Sequence, residues 1–443
     1  MGLMPCRKRN NIFLISNPTE RSVYGNIMLK QPSNKQFILK PRSARISVLN
    51  SPAFCVLWLS EAVSLIGDRI LMIALINMVY DWSGSASAVS VLALIKAVPA
   101  LLLGTLAGVF VDRWSRKWVM VLSNLILFIL VLAIPLTKEL FLVYGIYFVM
   151  AIVSQFFIPA RSACIPELVP EKALLAANSL FAAAFVGAIA IGPALGGWII
   201  DRYGMETAYR VDALTFLVPA IAVSLLSIPQ KRSAQTGGSL GGDWREGMAV
   251  VRADPEIRYS LLLIGTAALL IAALSALGVI LVRENLGGSA GDFGWVMSVT
   301  GAGMLCGAVL SPIVGKRFNR SMLAACGAAL GGGAMLVMAL SNQLGMVMAA
   351  GFGLGFGFVN VQVNAQTTLQ KTPDRLRGRI LGLSQTVMGS VTFAAAGLAG
   401  VLAGWLGTTV VLAGAGAAVL ITALVILYLV KKIDVHWRQP CNI

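Results

Sequence analysis

The chain has 443 residues, of which 57% are hydrophobic and only 12% charged, and a formal net charge of +16. Soluble proteins carry about 25% charged residues, so this composition excludes a soluble globular enzyme and points to a bilayer. The basic residues concentrate in loops on one side of the apolar runs, which argues against nucleic acid and for the positive-inside bias of a membrane protein.

In chain order, residues 1–50 form a basic leader, expected to be disordered or to lie on the membrane surface. Its first apolar cluster, IFLIS, is too short for a signal peptide. Twelve apolar runs follow, starting near residues 54, 85, 118, 141, 175, 208, 258, 290, 321, 343, 378 and 408. Each approaches the ~20 residues that cross a bilayer core as a helix. The Gly/Ser-rich charged stretch at 230–257 divides them six and six, and its DWREGMAVVRADPEIR portion suits a short surface helix. The reading is an all-α polytopic membrane protein of about twelve helices in two six-helix halves, 51–229 and 258–430. A cytoplasmic tail, 431–443, closes the chain, and the basic loops place both termini in the cytoplasm.

An offset of 203 residues lays the second half on the first. Arg113 meets Lys316, Lys117 meets Arg320, Pro170 meets Pro373 and Gly197 meets Gly400. Parallel repeats of this kind are a transporter architecture, with substrate held near the midplane between the halves. Six scattered cysteines without a CxxC pair, and one histidine, His436, leave no metal site. No catalytic cluster and no GxxxxGK[ST] sequence occur, so neither an enzyme nor direct use of ATP is expected, and no cofactor.

Between the second and third runs lies GVFVDRWSRK, 108–117. This pattern resembles the signature loop of the major facilitator superfamily, with Ser115 where that pattern has a turn glycine. The resemblance implies a conformational latch. Gly108 permits close helix approach, and Asp112 faces the positive N-terminus of the eleventh helix. Arg113, Arg116 and Lys117 then hold the loop inside and are placed to pair with Asp112. The repeat copy has Gly315 at the position of Asp112, so one latch is expected.

PARSACIPELVPEKALLAANSL links the fourth and fifth runs and contributes Pro159, Arg161, Pro166, Glu167 and Asn178. With IGPALGG at 191–197 and PDRLRGR at 373–379, which holds Arg377, Gly378 and Arg379, it resembles the branch of enterobactin-type siderophore exporters and macrolide efflux proteins. Gly192, Pro193, Gly196 and Gly197 match an element that the superfamily associates with antiport. Proline bends the helix and the glycines flatten one face of it.

Ionisable residues inside the runs are few: Glu61, Asp68, Arg69, Lys96, Arg161 and Asp212. Each costs roughly 2.5–3.5 kcal/mol to insert, so each should face a cavity or a partner. Burial favours the neutral form of a carboxylate, and a nearby cation opposes this. Asp68 and Glu61, with Lys96, are therefore the candidates for proton coupling, through competition for Asp68 among Lys96, a proton and a cationic substrate. Arg161 and Asp212 are expected to make inter-helix pairs, and Trp58 is a candidate for the pocket wall. The function expected is export of an amphipathic small molecule (drug, siderophore or similar metabolite) in exchange for protons, by a monomer in the bacterial inner membrane. An uptake symporter or lipid flippase of the same fold is the alternative.

Overall fold

The computed structural model describes residues 50–226, 254–315, 317–370 and 374–438, with Val48 and Thr372, excepting the side chains of 101, 104–106, 108, 109, 112, 113, 374–379 and 430–438. The leader, most of the 230–257 linker with its expected surface helix, and residues 439–443 lie outside these.

Twelve long helices account for the described chain. The first six are α1 (Pro52–Ser83), α2 (Ala86–Arg113), α3 (Arg116–Ala133), α4 (Leu140–Leu168), α5 (Leu174–Tyr203) and α6 (Met205–Leu225). The second six are α7 (Pro255–Ile280, extended by a π turn, Leu281–Asn285), α8 (Ala290–Val314), α9 (Arg320–Leu340), α10 (Leu344–Gln370), α11 (Asp374–Leu406) and α12 (Thr408–Arg438). Eleven helices among the described residues are long and apolar enough to cross a membrane. The other, α2, is 28 residues long and carries Lys96. α12 runs past the expected end at residue 430 to Arg438, and α4 runs to Leu168 through the segment expected as a connector.

The repeat offset is written into the helix ends. Ser51 caps α1 and Asp254 caps α7, each followed by proline at the first helical position, where a missing N–H is harmless. Among the described residues four glycines have positive φ, and they form two pairs 203 apart with nearly equal angles: Gly84 (57°) with Gly287 (63°), and Gly204 (85°) with Gly407 (84°). The same left-handed turns therefore close the same helices in both halves.

The core follows from which helices lie at the centre. The most apolar stretches of α1 and α7 are 67% and 78% buried, whereas those of α4 and α5 are 17% buried and border lipid and open space. Leu75 and Met78 of α1, Leu270 and Leu274 of α7 and Val296 of α8 share one apolar cluster that crosses between the halves. Trp58, a candidate for the pocket wall, packs instead on a smaller cluster within the first half.

Candidate functional site

A cavity of about 540 Å3 opens within the first half, and every residue lining it comes from α1 to α6. The substrate position expected from the repeat is near the midplane between the halves; this cavity's described lining belongs to the first half alone. The spans of the second half contain no Asp, Glu, Lys or Arg between residues 293 and 315, 321 and 370, or 380 and 430. The charges that need a cavity all belong to the first half.

Glu61, Ser64, Asp68 and Met72 line the cavity from one face of α1, at spacings of three, four and four residues. Glu61 is buried and receives the Arg161 guanidinium of α4, which also lies 5.6 Å over the Phe181 ring. This is the inter-helix pair expected of Arg161, and it ties down Glu61. Asp68 is exposed to the cavity, as is Lys96 of α2, and among the described residues neither makes an ion pair or a hydrogen bond. Lys96, Arg69 and Arg161 line the same cavity as Asp68. Arg69 stacks 5.4 Å over Phe185, and its Nε has no partner.

Asp212 corrects an expectation. Among the described residues it makes no inter-helix pair. It is fully buried behind Gly67 and accepts a hydrogen bond from the Thr215 hydroxyl of its own helix at 3.2 Å, while its Oδ2 has no partner. A Cβ added at Gly67 would come within 2.5 Å of Asp212 Oδ1, so glycine is what lets α1 and α6 close over this carboxyl.

At the basic-loop face, the side chains of Asp112, Arg113, Arg377 and Arg379 lie outside the described residues, as do the surroundings of Gly108 and Gly378. Arg116 is described, and besides any contact with the Asp112 side chain, which lies outside the described residues, it reaches α4. It donates to Glu167 Oε1 at 2.5 Å and to the Ala163 carbonyl at 3.1 Å, pinning the start of α3 to the end of α4 inside one half. Both side chains of this pair are nearly buried. Lys117 lies 5.5 Å over the Trp118 ring. The segment expected to link α4 and α5 is also mostly helix. Pro159, Arg161, Pro166 and Glu167 belong to α4, and Asn178 is exposed on α5.

The halves meet through α5 on α8 and α2 on α11. A Cβ at Gly197 would fall 2.7 Å from Gly291 Cα, one at Gly301 would fall 2.5 Å from the Ile189 carbonyl, and one at Gly294 would collide with the Pro193 carbonyl. The backbones of α5 and α8 therefore touch. Across the same contact, the Ala194 N–H donates to Ser298 Oγ at 2.7 Å. On the other side Ser87 Oγ donates to the Gly400 carbonyl at 2.9 Å, and a Cβ at Gly400 would lie 2.8 Å from Ser87 Cα. These contacts sit toward the face opposite the basic loops. Further toward the basic loops, on the same sides of α5 and α11, a Cβ at Gly187 or Gly389 would meet nothing within 4 Å.

Residues 43–439 match the family model described as transmembrane secretion effector, a major facilitator superfamily (MFS) family. The chain belongs to this MFS family. The MFS-type transporter YfiS of Bacillus subtilis is 27% identical over 85% of this chain and 93% of its own length. Macrolide efflux protein A of Streptococcus pyogenes is 26% identical, and the multidrug efflux pump Tap of Mycolicibacterium fortuitum 28%, each over 76% of this chain and 85% of its own length. Among solved structures, the nucleoside transporter NupG matches with a TM-score of 0.66 at 12% identity, covering 86% of this chain and 99% of that one. A bacterial homologue of the human lysosomal transporter Spinster, inward-facing and unoccupied, matches at 0.64 and 16%, covering 88% and 95%. The protein is thus a multi-pass MFS transporter of small molecules rather than an enzyme.

In this MFS fold the face away from the basic loops carries clasps that sequence reasoning missed. Asp201, at the end of α5, accepts from Ser289 Oγ at 2.7 Å and from the Gly291 N–H at 3.0 Å, at the N-terminus of α8. Arg283 bonds Asp81 at 2.8 Å, and the Tyr80 hydroxyl donates to Glu284 at 2.8 Å. The signal was present: charged residues at span ends where the positive-inside rule does not ask for them.

Proposed function

We propose that this chain exports an amphipathic small molecule by alternating access, in exchange for protons taken up on Asp68, across a bacterial inner membrane with both termini inside. The observation that carries the reading is the cavity in which Asp68 and Lys96 face open space without partners, beneath a contact between halves tightened toward the opposite face. A carboxylate left unpaired at membrane depth is costly unless it has a task, and exchange of a proton for a bound cation is such a task. The names of the macrolide and multidrug efflux relatives support the outward direction. With the clasped face outside, the arrangement is an inward-open state, ready to load from the cytoplasm. The test uses inside-out vesicles loaded with the protein, an imposed acid lumen and a panel of fluorescent amphipathic dyes. Uphill accumulation that collapses with the proton gradient and is lost in Asp68→Asn supports the proposal. Wild-type rates in Asp68→Asn, or indifference to the gradient, would overturn it.

A further inference from the structure

The cavity's charges describe what it is built to receive. Glu61 and Arg161 neutralise one another. Asp212 is sealed behind Gly67 and does not line the cavity. The second half contributes no ionisable residue to the lining. What remains is one acid without an ion pair, Asp68, and two cations without one, Lys96 and Arg69, among the described residues. Arg69 is held on the Phe185 ring, which fixes its position and leaves its N–H groups short of acceptors.

A bare organic cation brought to Asp68 would stand beside two like charges inside a cavity of largely apolar walls, where Coulomb interactions are weakly screened. A bare anion would satisfy the cations but would do nothing to displace a proton from Asp68. A molecule carrying both charges meets both requirements. Its cation replaces the proton on Asp68, and its anionic group lies against Lys96 and Arg69, while Phe157 and Phe216 offer apolar wall to its body. The volume suits one ligand of drug size. From this complementarity we infer that the transported molecule is a zwitterionic amphipath, with its ammonium at Asp68 and its carboxylate or similar oxyanion at Lys96 and Arg69. The inference rests on the proposed exporter reading for its site, and it assigns Lys96 and Arg69 as the residues that set specificity.

The test is equilibrium binding to the full chain in nanodiscs, followed by fluorescence of three probes that share one apolar body. These are Nε-dansyl-lysine (zwitterion), its methyl ester (cation) and its Nα-acetyl derivative (anion). The zwitterion is expected to bind roughly 10-fold more tightly than either analogue, the size of one charge-assisted contact in a partly wet cavity. Lys96→Gln should erase the margin over the ester, and Asp68→Asn the margin over the acetyl derivative. Lys96→Gln alone decides the matter if Asp68→Asn does not assemble. Equal binding of the three, preference for the ester, or no binding of any of them overturns the inference. Binding needs neither a gradient nor a direction. Selective binding without uphill transport would therefore sink the exporter reading and leave this one standing.

Discussion

Asp201 offers the sharpest test of how the two halves are held. Its Oδ2 receives a hydroxyl and a backbone N–H from the first residues of α8, which Ser289 and Asp292 already close with a capping box. Asp201 is thus a second carboxylate on one helix N-terminus, supplied by the opposite half. A hydrogen bond to a charged group contributes about 1.5–3 kcal/mol when shielded, and the helix dipole adds about 0.3–1 kcal/mol. Ser289 is exposed, so solvent screening reduces both. Asparagine keeps an acceptor and loses the charge, so Asp201→Asn should cost the closed arrangement about 1 kcal/mol and Asp201→Ala about 2 kcal/mol. These correspond to roughly 5-fold and 30-fold changes in the closed-to-open ratio at that face.

The assay is the distance distribution between spin labels on Tyr203 and Leu340, both exposed, with the native cysteines replaced. A longer-distance population should grow from the parent to Asp201→Asn and again to Asp201→Ala. Ser289→Ala should reproduce part of the shift, because it removes one of the two donors. If Asp201→Ala leaves the distribution unchanged, the bond seen here contributes nothing to closure and the reasoning fails.

Three further perturbations read other parts of the structure. Gly294→Ala puts a methyl group against the Pro193 backbone carbonyl, which cannot yield as a flexible side chain would, so the same spin pair should report opening and transport should fall. Gly187→Ala meets open space here, so thermal stability should hold or rise by up to about 1 kcal/mol from helix propensity, while turnover slows if α5 must close on α8 at that level in the other state. Arg116→Met removes one partner of a nearly buried ion pair and should lower unfolding stability by about 3 kcal/mol, with much of the loss recovered in Arg116→Met/Glu167→Met. Thermal unfolding in detergent measures the last, and an additive double variant would refute it.

The fold was legible because a bilayer imposes its length on every span and because duplication repeats the punctuation. The pairs Gly84 with Gly287 and Gly204 with Gly407 show that even turn conformations obey the 203-residue offset. The site was legible only in part. Counting charges inside apolar runs found Glu61, Asp68, Lys96 and Arg161, since each needs a cavity or a partner. It could not assign partners, because the answer depends on helix rotation. Arg116 reaches Glu167, fifty-one positions later in the chain, and Asp212 faces α1 at Gly67 and bonds only Thr215 of its own helix among the described residues. Asp201 escaped for another reason: a carboxylate at a span end is ordinary until the helix N-terminus opposite it is known.

The GPALGG element can now be given two tasks at once. Gly192 and Gly196 press on α1, where a Cβ at Gly192 would strike the Arg69 side chain and one at Gly196 would lie 3.0 Å from Ile70 Cα. Pro193 and Gly197, one residue on and so about 100° around the helix, press on α8. The same two turns of α5 therefore touch the cation that lines the cavity and the surface on which the halves meet. A ligand that draws Arg69 away from Phe185 would alter how α1 beds against α5, and with it the seating of α5 on α8. Charge recognition in one half can then reach the contact between halves through a single helix, without a long chain of intermediates. If the proposed ligand site holds, Gly192→Ala should disturb binding there as well as closure, whereas Gly294→Ala should disturb closure alone.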